Sequence, residues 1–122
     1  MKVVALDKYL DILQSLDRIK LDALCACVSE DVQFVDPFNN VCGRKAYRAI
    51  FSDMLDNLEN HRFQVTAVAW VGSEEKDKVA LIKWDIAATL PRLFKMSWKV
   101  KGCSELHMCS KGFITAHFDY WD

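Results

Sequence analysis

Met96-Ser97-Trp98-Lys99-Val100-Lys101-Gly102-Cys103-Ser104-Glu105-Leu106-His107-Met108 carries the pattern on which the fold turns. Its even positions, Met96, Trp98, Val100, Gly102, Ser104, Leu106 and Met108, alternate with Ser97, Lys99, Lys101, Cys103, Glu105 and His107. A period of two puts successive side chains on opposite faces, so this is a long strand with one covered face and one mostly polar face. Downstream, Ser110-Lys111-Gly112 reads as a hairpin turn into a last strand from Phe113 to Trp121, whose odd positions are Phe113, Thr115, His117, Asp119 and Trp121. Upstream, Phe63 to Val71 and Val79 to Leu90 read as two more strands, joined by a polar turn at Gly72 to Lys78 and closed by a turn at Pro91.

Further toward the N-terminus the period changes. Tyr47, Ile50, Phe51, Met54, Leu55 and Leu58 form one broad apolar stripe at helical spacing. Before it, Phe38 to Gly43 reads as a loop. In Val32-Gln33-Phe34-Val35-Asp36 the residues Val32, Phe34 and Asp36 share one side of a short strand that Pro37 ends. At the start, Leu6, Tyr9, Leu10, Leu13 and Leu16 mark a first helix. After Asp17, read as a cap, Leu21, Leu24, Cys25 and Val28 mark a second.

Helices followed by a run of strands is an α+β order, not the alternation that gives a parallel sheet. Strands this long, covered by three helices, bury one face only if the sheet wraps around them. The expected architecture is a cone-shaped, curved antiparallel sheet around three N-terminal helices, with an open mouth. At 122 residues the chain is expected to form one domain over residues 1–122.

The composition, 52% AVILMFWYC with seven Phe, four Trp and three Tyr, supplies apolar surface for a core and for the wall of a cavity. Sixteen basic residues against seventeen acidic ones give a net charge of −1, so no general attraction to nucleic acid or anionic lipid is built in. Lys95, Lys99 and Lys101 read as a solvated face. The N-terminal apolar run, Met1 to Leu6, is too short for a signal-peptide core, and no stretch approaches a membrane span. Five cysteines without Cys-x-x-Cys spacing point to a reducing compartment, and the expected location is the cytoplasm.

Two groups of residues stand out for chemistry. Asp36, by strand parity, lies beside Val32 and Phe34, where burial makes a carboxylate a stronger base; the alternative is that it caps its own Asp-Pro turn. His117 and Asp119 share a face of the last strand, where a carboxylate can orient an imidazole; the alternative is separate cross-strand contacts. Cys103, Glu105, His107 and Cys109 match no closed zinc pattern, and no metal is expected. A phosphate-cradling Gly-rich loop and a Gly-x-Ser-x-Gly elbow are both lacking, which leaves proton transfer or water activation without a cofactor.

The segment Phe34-Val35-Asp36-Pro37-Phe38-Asn39 closing on Gly43, set between helices, and the ending His117-Phe118-Asp119-Tyr120-Trp121-Asp122 after long strands, together resemble the SnoaL-like and ketosteroid-isomerase-like branch of the nuclear-transport-factor-2 superfamily. The resemblance covers essentially the whole chain. It implies that Asp36, directly before the proline, holds the place of the isomerase's general base. The isomerase's two oxyanion donors, a first-helix tyrosine and a protonated aspartic acid, fall by gap-free alignment on Ile12 and Ser104. Limonene epoxide hydrolase, a relative, has a water-activating aspartate in a similar ending, and Asp119 matches it. The resemblance thus implies a small apolar ligand in the cone, with Asp36, His117 and Asp119 catalytic and Ile12, Trp98, Ser104 and Trp121 around the ligand. A homodimer is also implied, with exposed strand faces carrying Val68, Trp70 and Cys103. The alternative is a ligand-binding or dimerising module without catalysis, because sites are grafted onto folds.

Overall fold

The computed structural model describes residues 2–71, 78–91 and 96–121. Most of the turn expected at Gly72 to Lys78, and the residues that follow Pro91, lie outside the described residues. The chain runs α1 (Lys2–Gln14), α2 (Leu21–Ala26), β1 (Val28–Val35), β2 (Asn40–Cys42), α3 (Arg44–Asn57), β3 (Glu59–Val71), β4 (Lys78–Leu90), β5 (Met96–Met108) and β6 (Ile114–Tyr120).

The helical stripes form as their spacing requires. Leu6, Tyr9, Leu10 and Leu13 are buried on one face of α1, and Leu16 is buried just beyond it. Asp17 caps the turn ahead of α2 and not the helix itself: its carboxylate accepts from the Lys20 amide at 2.9 Å, while the cap position of α2 is Lys20. That helix has six residues, and Val28, read as the end of its stripe, opens β1. Gly43, with φ of 102°, supplies the backbone conformation from which α3 starts.

Six strands form one sheet in the order β2-β1-β6-β5-β4-β3. Four of its pairings are antiparallel, and β1 with β6 is parallel. Periodicity assigns faces within a strand but not the direction of a partner eighty residues away, so the expected all-antiparallel sheet becomes a mixed one. The stretch Phe38 to Gly43, read as a loop, contains β2. Asp36 to Asn39 forms a tight turn, with the Asp36 amide donating to the Asn39 carbonyl at 2.9 Å, and Pro37 occupies the position a type I or II turn favours. Register shifts within β3, in the β5–β6 pairing and in the β1–β6 pairing supply local bends that help the long strands wrap.

The core fills the concave face. Leu6, Tyr9, Leu24, Val32, Tyr47, Ile82, Trp84 and Leu106 belong to one buried cluster, with Ile12 packed on it from outside. Val68 and Trp70 stand opposite the buried Ile82 and Ala80, so they continue the concave face past the helices; Cys103 stands opposite Lys83 on the other face. The three therefore do not share one outer surface, because the shift between Val65 and Ala67 changes the parity of β3. Among the described residues no helix is long and apolar enough to cross a membrane.

Candidate functional site

The register of the sheet assembles the site. Asp119 stands opposite Ser104 and Ser104 opposite Ile82; His117 lies between Leu106 of β5 and Phe34 of β1. Beside them is a cavity of about 490 Å³, walled largely by apolar side chains including Leu13, Phe34, Phe51, Phe63, Trp84, Ile86, Trp98, Val100 and Trp121. Its inner wall includes His117, Phe34, Phe51 and Trp84, all buried, whereas the exposed Phe38, Asp53, Asn57 and Arg62 mark its mouth. A volume in this range suits a small-molecule ligand.

A single file of hydrogen bonds runs behind the inner wall. Tyr47 Oη lies 2.5 Å from Tyr9 Oη, Tyr9 Oη 2.8 Å from His117 Nδ1, and His117 Nε2 2.7 Å from Asp119 Oδ1. From the other side, Trp84 Nε1 donates to Ser104 Oγ at 2.7 Å, and Ser104 Oγ donates to Asp119 Oδ1.

Each link has one direction that leaves no buried proton unpaired. Tyr47 Oη is buried with Tyr9 as its one hydrogen-bond partner among the described residues, so its proton goes to Tyr9. The Tyr9 proton must then go to His117 Nδ1, which makes that nitrogen the acceptor. The ring proton sits on Nε2 and is donated to Asp119 Oδ1. Indole N–H is a donor only, so the Ser104 proton also goes to Asp119 Oδ1. The two files of donors thus end on one carboxylate oxygen, through His117 and Ser104, and both nitrogens of His117 are used. Burial, the largest influence, holds both phenols well above the usual tyrosine range, so they stay protonated donors.

Asp119 Oδ2 accepts none of the hydrogen bonds among the described residues. It is not sealed from solvent, and Asp119 lines the cavity beside the buried His117, so this oxygen is a polar acceptor that the wall offers next to the inner end.

Asp36 also lines the cavity, but its carboxylate is largely occupied by its own turn. Oδ1 accepts from the Phe38 amide at 2.8 Å, the Asn39 amide at 2.7 Å and Asn39 Nδ2 at 3.0 Å. Trp98 and Trp121 line the cavity and meet edge to face, with ring centroids 6.0 Å apart. Ser104 is sealed behind Trp84, its proton spent on Asp119. Ile12 is not among the lining residues; the buried first-helix tyrosine is Tyr9, one helical turn earlier, and its hydroxyl faces His117. The sequence pattern does not single out Tyr9, Tyr47 or Trp84: the two tyrosines sit in apolar helical stripes, and Trp84 falls within the strand read over Val79 to Leu90. The available signal was a tyrosine in place of phenylalanine at a core position, where the hydroxyl demands a partner. Among the described residues no group of three or more His, Cys, Asp or Glu is placed to hold a metal ion.

This curved sheet around three helices is the α+β cone of the nuclear-transport-factor-2-like class, as solved structures show. A nuclear-transport-factor-2-like protein of unknown function from Exiguobacterium sp. 255-15 superposes with a TM-score of 0.78 at 17% identity, over 97% of this chain and 98% of that one. SalBIII, an epoxide hydrolase/cyclase-like enzyme in pyran ring formation in the polyether salinomycin, gives 0.80 at 15% identity over 99% and 90%. A protein of ketosteroid isomerase-like fold from Catenulispora acidiphila, in complex with trimethylamine, gives 0.76 at 14% identity over 97% and 85%. At such identities the likeness is one of fold. Residues 7–117 match the SnoaL-like domain, and the chain belongs to that family. No curated protein matches the sequence.

Proposed function

We propose that this protein binds a small, largely apolar molecule in its cone and carries out cofactor-independent acid–base chemistry on it, as an isomerase, cyclase or hydrolase. Asp119 is the proton acceptor, and His117 and Ser104 are positioning residues that hold its Oδ1. One observation carries this reading: two donors fix one oxygen of Asp119 while the other opens onto an apolar cavity. A carboxylate so oriented, in a site with little competing water, is prepared to take a proton from a bound molecule or from water beside it. The epoxide hydrolase/cyclase-like character of a fold neighbour supports the same class of chemistry.

Turnover of a panel of epoxides, lactones and unsaturated ketones, each with its hydroxyl-bearing counterpart, tests it. Asp119→Asn should lower kcat/KM on any accepted substrate by about 10²- to 10⁴-fold, the usual worth of a general base. Equal turnover by that variant would remove Asp119 from the mechanism.

A non-catalytic ligand-binding module is the second reading, favoured by the engagement of Asp36 in its turn, which leaves one free carboxylate oxygen on the inner wall instead of two. Binding without turnover across the panel would select it. A cytoplasmic homodimer remains our proposal for the setting of either activity.

A further inference from the structure

Five donors surround the inner end of the cavity, and all five are spent. The Tyr47 hydroxyl serves Tyr9, the Tyr9 hydroxyl serves His117, and the His117 N–H and Ser104 hydroxyl serve Asp119 Oδ1; the Trp84 N–H serves Ser104. What remains open there is Asp119 Oδ2, an acceptor. A carbonyl oxygen brought to this end would meet a carboxylate and no free donor, leaving acceptor against acceptor. A hydroxyl would meet a partner that its proton can satisfy.

Trp121, whose ring meets the exposed Phe38 of the mouth, and Trp98 beside it are half-buried and make no hydrogen bond among the described residues, so free indole donors lie toward that end. We infer that the ligand is an apolar alcohol that enters hydroxyl first and donates to Asp119 Oδ2, and that the site discriminates against the ketone of the same skeleton. This rests on the cavity being the ligand site, as in the function proposed above, but not on any turnover.

A matched pair tests it: α-tetralol and α-tetralone, titrated into the full chain by calorimetry and by NMR chemical shift. The alcohol should bind about tenfold more tightly than the ketone, the scale on which an unpaired polar group at a buried site is penalised. In Asp119→Asn the side-chain oxygen keeps the bonds from Ser104 and His117. The amide N–H then faces the cavity as a donor, and the preference should reverse toward the ketone. Equal or tighter binding of α-tetralone by the wild-type protein would overturn the inference, as would failure of both compounds to bind at millimolar concentration. The wild-type comparison stands even if the variant does not fold. Alcohol preference without turnover of any substrate would leave the inference intact while removing the catalytic reading.

Discussion

The indole of Trp84 lies where a β-carbon on Gly102 would have to stand: such a carbon would be 2.5 Å from Trp84 Cζ2, well inside contact distance. The two residues are opposite one another on β4 and β5, and the missing side chain lets the indole lie against the sheet. From there its N–H reaches Ser104, so the absence of a side chain at Gly102 helps to set the orientation of Asp119.

Gly102→Ala is expected to displace that indole. Overpacking of a filled core costs about 1–3 kcal/mol, and urea unfolding should show a loss in this range. The Trp84–Ser104 bond should break as well, so any turnover should fall further than stability alone explains. Unchanged stability would mean that the indole is not seated on the glycine.

The two phenols differ in what they leave behind. Tyr9→Phe deprives the Tyr47 hydroxyl of its acceptor and His117 Nδ1 of its donor, two buried groups at about 1–3 kcal/mol each. Tyr47→Phe removes only a donor to Tyr9. Chemical denaturation should therefore rank Tyr9→Phe as the more damaging by about 1 kcal/mol or more, and the double variant should fall short of additivity. The opposite ranking would contradict the direction assigned to the chain of bonds.

Alkaline pH acts on the same pair. Burial raises both phenols in the folded protein above their ordinary value near 10, so above that pH the unfolded chain releases protons that the folded one retains. The stability linked to these groups is fully present below about pH 10 and is lost as pH rises from there through the folded values. Thermal midpoints measured from pH 8 to pH 11, bracketing the reference value near 10, should decline at the upper end. The decline should be shallower in Tyr47→Phe, and an equal slope in both proteins would exclude the Tyr47 phenol as a cause.

Asp36 tests the division of labour between the two carboxylates. An asparagine there keeps an acceptor for the amides of Phe38 and Asn39, so Asp36→Asn should leave turnover within about tenfold of wild type, below the range expected of a general base. Asp36→Ala removes the turn's acceptor and should cost about 1 kcal/mol of stability. Loss of turnover in the asparagine variant with unchanged binding would instead place Asp36 in the chemistry.

Much of the cone was legible in the periods of the sequence. The alternation from Met96 to Met108 and the stripe from Tyr47 to Leu58 required a sheet and a helix. The shared face of His117 and Asp119 followed from their separation by two residues. What joins them was hidden for a physical reason: Tyr9 lies 108 residues from its partner His117, and only the packing of α1 against the sheet brings their atoms within 2.8 Å. Strand parity also placed Asp36 near the cavity but could not show that the Asp-Pro turn would take up its carboxylate, since turn and cavity compete for the same oxygens.

From Tyr47 to Asp119 each hydrogen bond donates toward the carboxylate, and the tautomer of His117 reports that direction most directly. Nitrogen-detected NMR of histidine-labelled protein near neutral pH should show the His117 ring with a protonated Nε2 and an unprotonated Nδ1. A proton on Nδ1, whether in the other tautomer or in a doubly protonated ring, would contradict it, because Tyr9 would then accept from His117 and one of the two hydroxyl protons of Tyr9 and Tyr47 would have no acceptor.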